Sequence, residues 1–436
     1  MPGLALTLLW ACPILCGAAS LYLLLRGAIR AHHERTVAAQ EEPTFLLKSR
    51  LVPDVAVLAM PPDASETSFQ FVRKLAKLYF GHVEILLVLD GASNEELQAW
   101  KDEFHLLPAP RVDTHSLPAE PVLGVYASAA PVPLVVVEKE RGGEGDCLNA
   151  GINLTSAPVI GLVDWNAEVS EGTLLRLICP LIDEPERIQA VCAVAPSAPA
   201  RGLAARLYHL DFLRQWLCRC AGLSIWNSFL PATGSFLLLK RDAVVETGGF
   251  KRTPGCALEM VIRLHREAVL RGRRYQVRLI TGPFSRPAAP RSNREMNERI
   301  AREQSATADA LSRHLGTLFV FGSISRLIPG LFCSRLFLPL GETMLLALAC
   351  PALLFRWVPP VDLVLLISTM AAAGIVTSMT AVLLEPFAAG SHIPPREMAA
   401  LFFTSIVENL GCRQWRNIKL IGHFMRGFFC RDFRGN

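Results

Sequence analysis

The sequence predicts an α/β protein: a mostly parallel sheet with helices on both faces, joined to about three transmembrane helices and some interfacial ones. Three observations predict it. Between Val52 and about Pro290, short apolar runs alternate with helical segments, the pattern of a parallel sheet covered on both faces. Residues 4–25 carry no charge and are long enough to cross a bilayer. Only 19% of the 436 residues are charged, and the mean hydropathy is +0.33, too apolar for an ordinary water-soluble chain.

The elements follow in order. The first apolar run is followed by Arg26, Arg30 and Arg35 rather than preceded by basic residues. A secretory signal has the reverse order, so an uncleaved span is favoured, with the next domain in the cytoplasm. "VAVLAM" reads as a strand, "ETSFQFVRKLAKLYF" as an amphipathic helix, and "VEILLVLD" as a strand ending at Asp90. "PLVVVEK" is a further strand, "GDCLNAGINLTS" opens a helix, and "VIGLVD" delivers Asp164 to the carboxyl edge of the sheet. No GxGxxG follows the first strand, which argues against a dinucleotide site. Residues 297–311 form a polar helix. Residues 315–333 are apolar but broken by Gly322, Pro329 and Gly330, which suits the interface plane. Two further spans are expected at about 337–355 and 363–384. Residues 398–410 are short for a span and read as an interfacial helix or part of a re-entrant segment. The expected organisation is a transmembrane helix at 1–30, an α/β domain at 50–312, an interfacial segment at 313–334, two transmembrane helices at 335–386, and an amphipathic or re-entrant segment with a basic tail at 387–436.

The formal charge is +5. Its basic surplus sits in residues 32–50 and 413–434, beside apolar segments. That is a positive-inside signal rather than a nucleic-acid surface. Three spans put the amino end outside and the α/β domain and basic tail inside. The twelve cysteines show no CxxC pair and no Cys/His ligand spacing, so structural zinc is not expected; reduced thiols in a cytosolic compartment are.

Several ordered stretches carry a resemblance. "VLDGAS", "RGGEGDCLNAGINLTSAPVIGLVDWN", "TGSFLLLKRDAVVETGGF", "LEMVIRLHREAVLRGRRYQV" and "VENLGCRQWRNIKLIGHFMRG" resemble successive segments of the membrane-embedded family 2 glycosyltransferases, the group containing cellulose, hyaluronan and poly-N-acetylglucosamine synthases. The resemblance covers nearly the whole chain. It implies a GT-A-type nucleotide-sugar-binding domain beneath a few membrane helices.

Inverting sugar transfer needs a pocket for the base, a cation for the departing diphosphate, and a carboxylate to take the acceptor's proton. The resemblance places Asp90, Asp146 and Asp164 at the nucleotide. Asp90 also reads as a turn aspartate before Gly91, and Asp146 as a helix N-cap. Glu144 stands where the family has a lysine for the diphosphate. The metal pair is halved: Asp164 matches the first aspartate of the family's Asp-Ala-Asp and Asn166 the second. An amide oxygen still ligates Mg²⁺ or Mn²⁺ but adds no charge, so either cation is expected to be weakly held or absent. Glu168 lies near but off that spacing. Trp165 replaces a small residue. The family's catalytic Glu-Asp falls on Cys256 and Ala257. Cys256 would act only as a thiolate, and Glu259, two residues on, is turned roughly 200° round a helix. Glu259 is nonetheless the nearest substitute base. The family's Tyr-Asn-Glu is Pro62, Asp63 and Ala64 here. Its acceptor-site tryptophan is missing from "RIAREQSAT", where Arg299 and Arg302 remain.

These joint losses point to a catalytically inactive relative acting in cell-envelope polysaccharide or glycolipid synthesis at a bacterial-type plasma membrane. Its expected partners are an active polysaccharide synthase or further copies of itself, membrane lipid, a nucleotide-sugar if the pocket is intact, and no nucleic acid. The alternative is an active divergent transferase moving a sugar from a UDP- or GDP-linked donor to a glycan or lipid acceptor. A third reading keeps only the fold, for an unrelated binding role.

Overall fold

The computed structural model of the chain describes residues 2–40, 52–77, 83–129, 133–165, 167–170, 172–196, 202–224, 231, 235–253, 255–272, 276–281, 285–290, 292–314, 340–344, 347 and 359–429. The chain forms two compact units. One, the sheet unit, holds residues 34–195 and 229–288. The other, the helical unit, holds residues 1–33, 196–228 and 289–436. Residues 196–228 and 289–312, which the sequence groups with the α/β domain, thus cluster with the helices.

The sheet unit is built on nine strands: β1 (Val55–Ala59), β2 (Val83–Asp90), β3 (Leu106–Pro108), β4 (Val122–Ser128), β5 (Leu134–Lys139), β6 (Val159–Val163), β8 (Ile188–Ala193), β9 (Phe236–Lys240) and β10 (Gln276–Ile280), in the order β10-β8-β9-β6-β1-β2-β5-β4-β3. Strands β9 and β4 run against the other seven. The sheet is therefore mainly parallel in direction, as its unbroken apolar runs predict. Every residue of β1 and β6 is buried. A second, two-stranded sheet pairs β7 (Ala167–Val169) with β11 (Ser285–Pro287).

Helices cover both faces. On one, α2 (Glu66–Ala76), α3 (Asn94–Phe104) and α5 (Thr173–Asp183) bury Val72, Leu75, Trp100, Phe104, Leu177 and Ile178 against Val57, Ile85, Leu87 and Val136. Their starts are specified locally. Ser65 caps α2, and Ser93 with Glu96 forms a reciprocal capping box on α3. On the other face, α4 (Glu144–Asn153) approaches so closely that a Cβ on Gly151 would lie 2.7 Å from Leu58. The unit is completed by α7 (Arg241–Glu246) and α8 (Cys256–Leu270).

The helical unit contains the first turns of α1 (Pro2–Gln40), then α6 (Leu203–Gln215) with a π-helical extension Trp216–Gly222, and α9 (Asn293–Arg313). Three more helices follow: α10 (Pro360–Ala389), α11 (Pro395–Val407) and, after a second π-helical turn Glu408–Cys412, α12 (Arg413–Phe429). Among the described residues one helix, α10, is long and apolar enough to cross a membrane; it contains the expected 363–384. The expected 4–25 lies within α1. The expected interfacial 315–333 lies outside the described residues, as does 337–355 apart from 340–344 and 347.

Candidate functional site

The carboxyl ends of β2 and β6, the first turns of α4 and α8, and the loop between α7 and α8 carry most of the residues that the resemblance singles out, and the end of β5 lies beside them. All belong to the sheet unit. Asp90 closes β2, where Gly91 turns the chain at φ 67°. Its carboxylate accepts from the N–H groups of Gly142 (2.7 Å) and Gly143 (3.0 Å), with Lys139 Nζ at 3.4 Å. Burial alone pushes this carboxyl up. The two amides, the Cys147 thiol and Lys139 outweigh it and hold Asp90 below its usual range. Asp90 thus orders the loop that leads into α4.

Asp146 is the third residue of α4. The N-cap of that helix is Gly143, which makes no side-chain cap, so the N-cap reading of Asp146 is corrected. Its carboxylate is fully buried. It pairs with Lys139 Nζ (2.5 Å), itself fully buried, and with Arg252 (2.6 Å), and accepts from the Glu120 amide. Arg252, about half exposed, also reaches Glu120 at 2.7 Å. Lys139 is lowered by burial, but the hydrogen bond and charge of Asp146 more than reverse this, so it stays protonated above its usual range. The Cys147 thiol is pushed up to about 12 by burial and by Asp90. Asp90, Lys139, Asp146, Arg252 and Glu120 thus pair with one another.

The Gly-Gly-Phe turn is held from two sides. Asn149, buried in α4, accepts from Phe250 N (2.7 Å) and donates to Phe250 O and Pro118 O. Arg263 in α8 donates to Thr247 O (2.7 Å) and Gly249 O (2.6 Å) and pairs with Glu259 at 2.9 Å. Glu259 is buried one turn before Arg263 and serves as the counter-ion of this clamp. At the positions of the family's acid pair, Cys256 is fully buried and Ala257 partly so. Burial, and then the nearby Glu144 carboxylate to which the thiol hydrogen-bonds, keep Cys256 well above its usual range. It is a neutral thiol and no base.

Asp164 follows β6, half-buried; its N–H meets Ser235 O at 3.5 Å and its carbonyl accepts from Ala167 N at 2.8 Å. Asn166 lies outside the described residues. The Trp165 ring packs on Phe71, 4.3 Å between centroids. Glu168 is exposed on β7, opposite Arg286 of β11. Among the described residues no group of three or more His, Cys, Asp or Glu is arranged to hold a metal ion. Asp63 accepts from the Ser65 and Ser68 hydroxyls, 2.7 and 2.9 Å, at the start of α2. Arg299 pairs with Glu295 within α9 of the helical unit.

Sequence reasoning passed over Lys139, Arg252, Asn149 and Arg263. Lys139 had a signal: a lysine ending an apolar strand three residues short of a Gly-Gly turn is a buried cation in search of an acid. Arg252 and Asn149 pair with residues about a hundred positions away, and the Arg263–Glu259 pair lies within one helix turn, where it reads as an ordinary helix ion pair.

No family model matches the sequence, and no curated protein matches it. Solved structures do align with it. The mannosyltransferase PcManGT of Pyrobaculum calidifontis, solved with GDP-Man and Mn²⁺, aligns over 93% of this chain and 99% of its own with a TM-score of 0.55 at 16% identity. Staphylococcus aureus TarS (residues 1–349) covers 81% of this chain and 90% of its own, TM-score 0.42, 9% identity. Glucosyl-3-phosphoglycerate synthase of Mycobacterium tuberculosis, solved with Mn²⁺ and UDP, covers 63% and 84%, TM-score 0.39, 18% identity. The first of these establishes a glycosyltransferase fold of the GT-A kind for this chain.

Proposed function

We propose that this protein is a membrane-embedded, family 2-like glycosyltransferase homologue that does not catalyse sugar transfer. It serves as a partner subunit of an active synthase of envelope polysaccharide or glycolipid, with its sheet unit on the cytoplasmic side of a bacterial-type plasma membrane. The carrying observation is the first turn of α8. A base is needed there, and the residues are a neutral buried thiol, Cys256, and Ala257. Support comes from the closed pairing of Asp90, Asp146 and Glu259. A base alone contributes about 10² to 10⁴ in rate, so its loss together with the halved metal pair leaves little catalysis. The apolar outer surfaces of α1 and α10, where Leu15, Ile29, Val361 and Val364 are exposed, support the membrane reading. The test is nucleotide binding and turnover by the purified protein in detergent, using UDP and GDP with and without Mn²⁺ or Mg²⁺. Neither is expected; turnover would sink the reading.

A second reading, an active divergent transferase using a UDP- or GDP-sugar, is favoured by one observation. The neighbour aligned over nearly the full length was solved with GDP-Man and Mn²⁺, and Asp164 ends β6 at the sheet edge. It requires metal-dependent binding that Asp164→Ala abolishes.

A further inference from the structure

The last helices of the helical unit are amphipathic in reverse. Along α11 and the turn after it, the residues packed inward are mostly polar: Thr404, Ser405, Glu408 and Asn409 are all buried, with Leu401 the apolar member of that face. Those turned outward are apolar: Phe403 (68% exposed), Ile406 and Leu410 (70%). A helix at a water-facing surface is arranged the other way. Arg396, in the first turn, is the last exposed charge; from there to Leu410 the exposed residues are Ala399, Phe403, Ile406 and Leu410.

The same segment runs back along α10. Before α11 begins, Ser391 Oγ donates to Glu385 at 3.2 Å. At its far end, Asn409 Nδ2 donates to Ser378 Oγ at 3.4 Å, and a Cβ on Gly374 would lie 2.1 Å from Asn409 Oδ1. As the chain advances from 391 to 409, its partner on α10 retreats from 385 to 374. Gly374 is halfway along that thirty-residue helix. The return stops at an ionic node. Glu408 accepts from Arg214 (2.7 Å) and Arg416, Arg214 also donates to Ser378 (2.7 Å), and Arg413 reaches Glu342 (2.6 Å) and Asn409 (3.1 Å). Ionisable groups at membrane depth persist turned inward and paired in this way. Beyond the node, α12 exposes Trp415 with the Lys419 ammonium 5.4 Å from its ring, a pair suited to the headgroup level.

We propose that α11 is the entering arm of a re-entrant membrane segment. It dips into the bilayer after Arg396, stops at the Glu408 node about half the length of α10 deep, and leaves through α12 on the side it entered. The outward face of Phe403, Ile406 and Leu410 is covered by lipid hydrocarbon, as are the exposed Val376 and Leu383 on the far side of α10. This rests on α10 spanning the membrane, as proposed above, and sets the short segment apart from a helix lying flat in the interface.

The experiment places a nitroxide amino acid singly at positions 376, 396, 399, 403, 406, 410 and 415 of the full chain in phosphatidylcholine/phosphatidylglycerol vesicles. It compares collisions with oxygen and with a water-soluble nickel chelate. Expected is oxygen-dominated contact at 403, 406 and 410, with depth rising from 399 to 410 and falling again at 415. Labels at 396 and 415 are reduced by ascorbate from the same side. Equal, shallow depths from 399 to 410 would overturn the proposal in favour of an interfacial helix. Shielding of 403 and 410 from both reagents would overturn it in favour of a second copy or another protein on this face. A water-exposed label at 376 removes the membrane reading itself and this inference with it; a deep label at 376 with shallow ones at 403–410 removes this inference alone.

Discussion

Lys139 and Asp146 are each fully buried and face each other across 2.5 Å. A buried pair is poor grounds for net stability, but removing one member strands the other, at a cost of about 3–5 kcal/mol. Lys139→Met is therefore expected to lower the urea midpoint of the detergent-solubilised protein by that equivalent, Arg252 compensating Asp146 in part. The pH profile carries a sign. Asp90 is held below 3.8 in the fold, so its contribution is present above that value and is lost as pH falls through the folded one. Lys139 is raised above 10.5, so its contribution is full below 10.5 and fades as pH rises through its folded value. Unfolding midpoints measured against pH should show a plateau between these limits, and Lys139→Met should erase the alkaline decline. The same logic separates two roles for Glu259. As counter-ion to Arg263, its replacement by Gln should lower stability with no effect on any sugar transfer, and Arg263→Ala should cost about 3–5 kcal/mol. Arg263→Lys should not rescue it, because one ammonium cannot reach both Thr247 O and Gly249 O and pair with Glu259 as the planar fork does. A rescue by Lys would refute the clamp.

At the scale of elements, close backbone approaches set how α1 meets the extension of α6. A Cβ on Gly27 of α1 would lie 2.0 Å from Leu217 O in the π-helical extension of α6, and Gly222 in turn faces Leu23 O. Neither neighbour is a side chain that can swing away. Gly27→Ala is thus expected to destabilise the helical unit by about 1–3 kcal/mol, read as a lowered thermal midpoint in detergent; an unchanged midpoint would mean the helices are free to separate. Strands β1, β2, β5 and β6 were legible because each is an apolar run ended by a polar residue or turn. Less visible were β4, whose "VLGVYAS" is only half-buried, and β9, which runs against its neighbours β6 and β8. Direction is a property of pairing, and one strand's sequence does not encode it. The segment containing α6 escaped notice for a related reason: "LAARLYHLDFLRQ" is buried around much of its circumference, and its polar residues pair with Glu385, Glu397 and Glu408, more than 170 residues away.

For the molecule as a whole, the chain leaves the sheet unit after β8 and returns before β9, spending the interval in the helical unit. The excursion was invisible in sequence because apolar periodicity marks buried faces and does not say which core they join. Its ends are close in the sheet, since Ala193 pairs with Phe236 across the antiparallel β8–β9 register, and Ala195 N donates to Ser285 O at 2.7 Å. A short Gly/Ser linker can therefore replace residues 196–234 without moving either strand. The nine-stranded sheet, its two helical layers and the β7–β11 pair all lie within residues 52–195 and 235–288, so this piece holds a complete core of its own. Joined in this way and ended at residue 288, it should be soluble without detergent and unfold in one cooperative urea transition, with Lys139→Met shifting the midpoint as in the full chain. Aggregation, or a compact state lacking near-ultraviolet dichroism, would mean that the sheet core is completed by the helices, and the two units would have to be treated as one folding body.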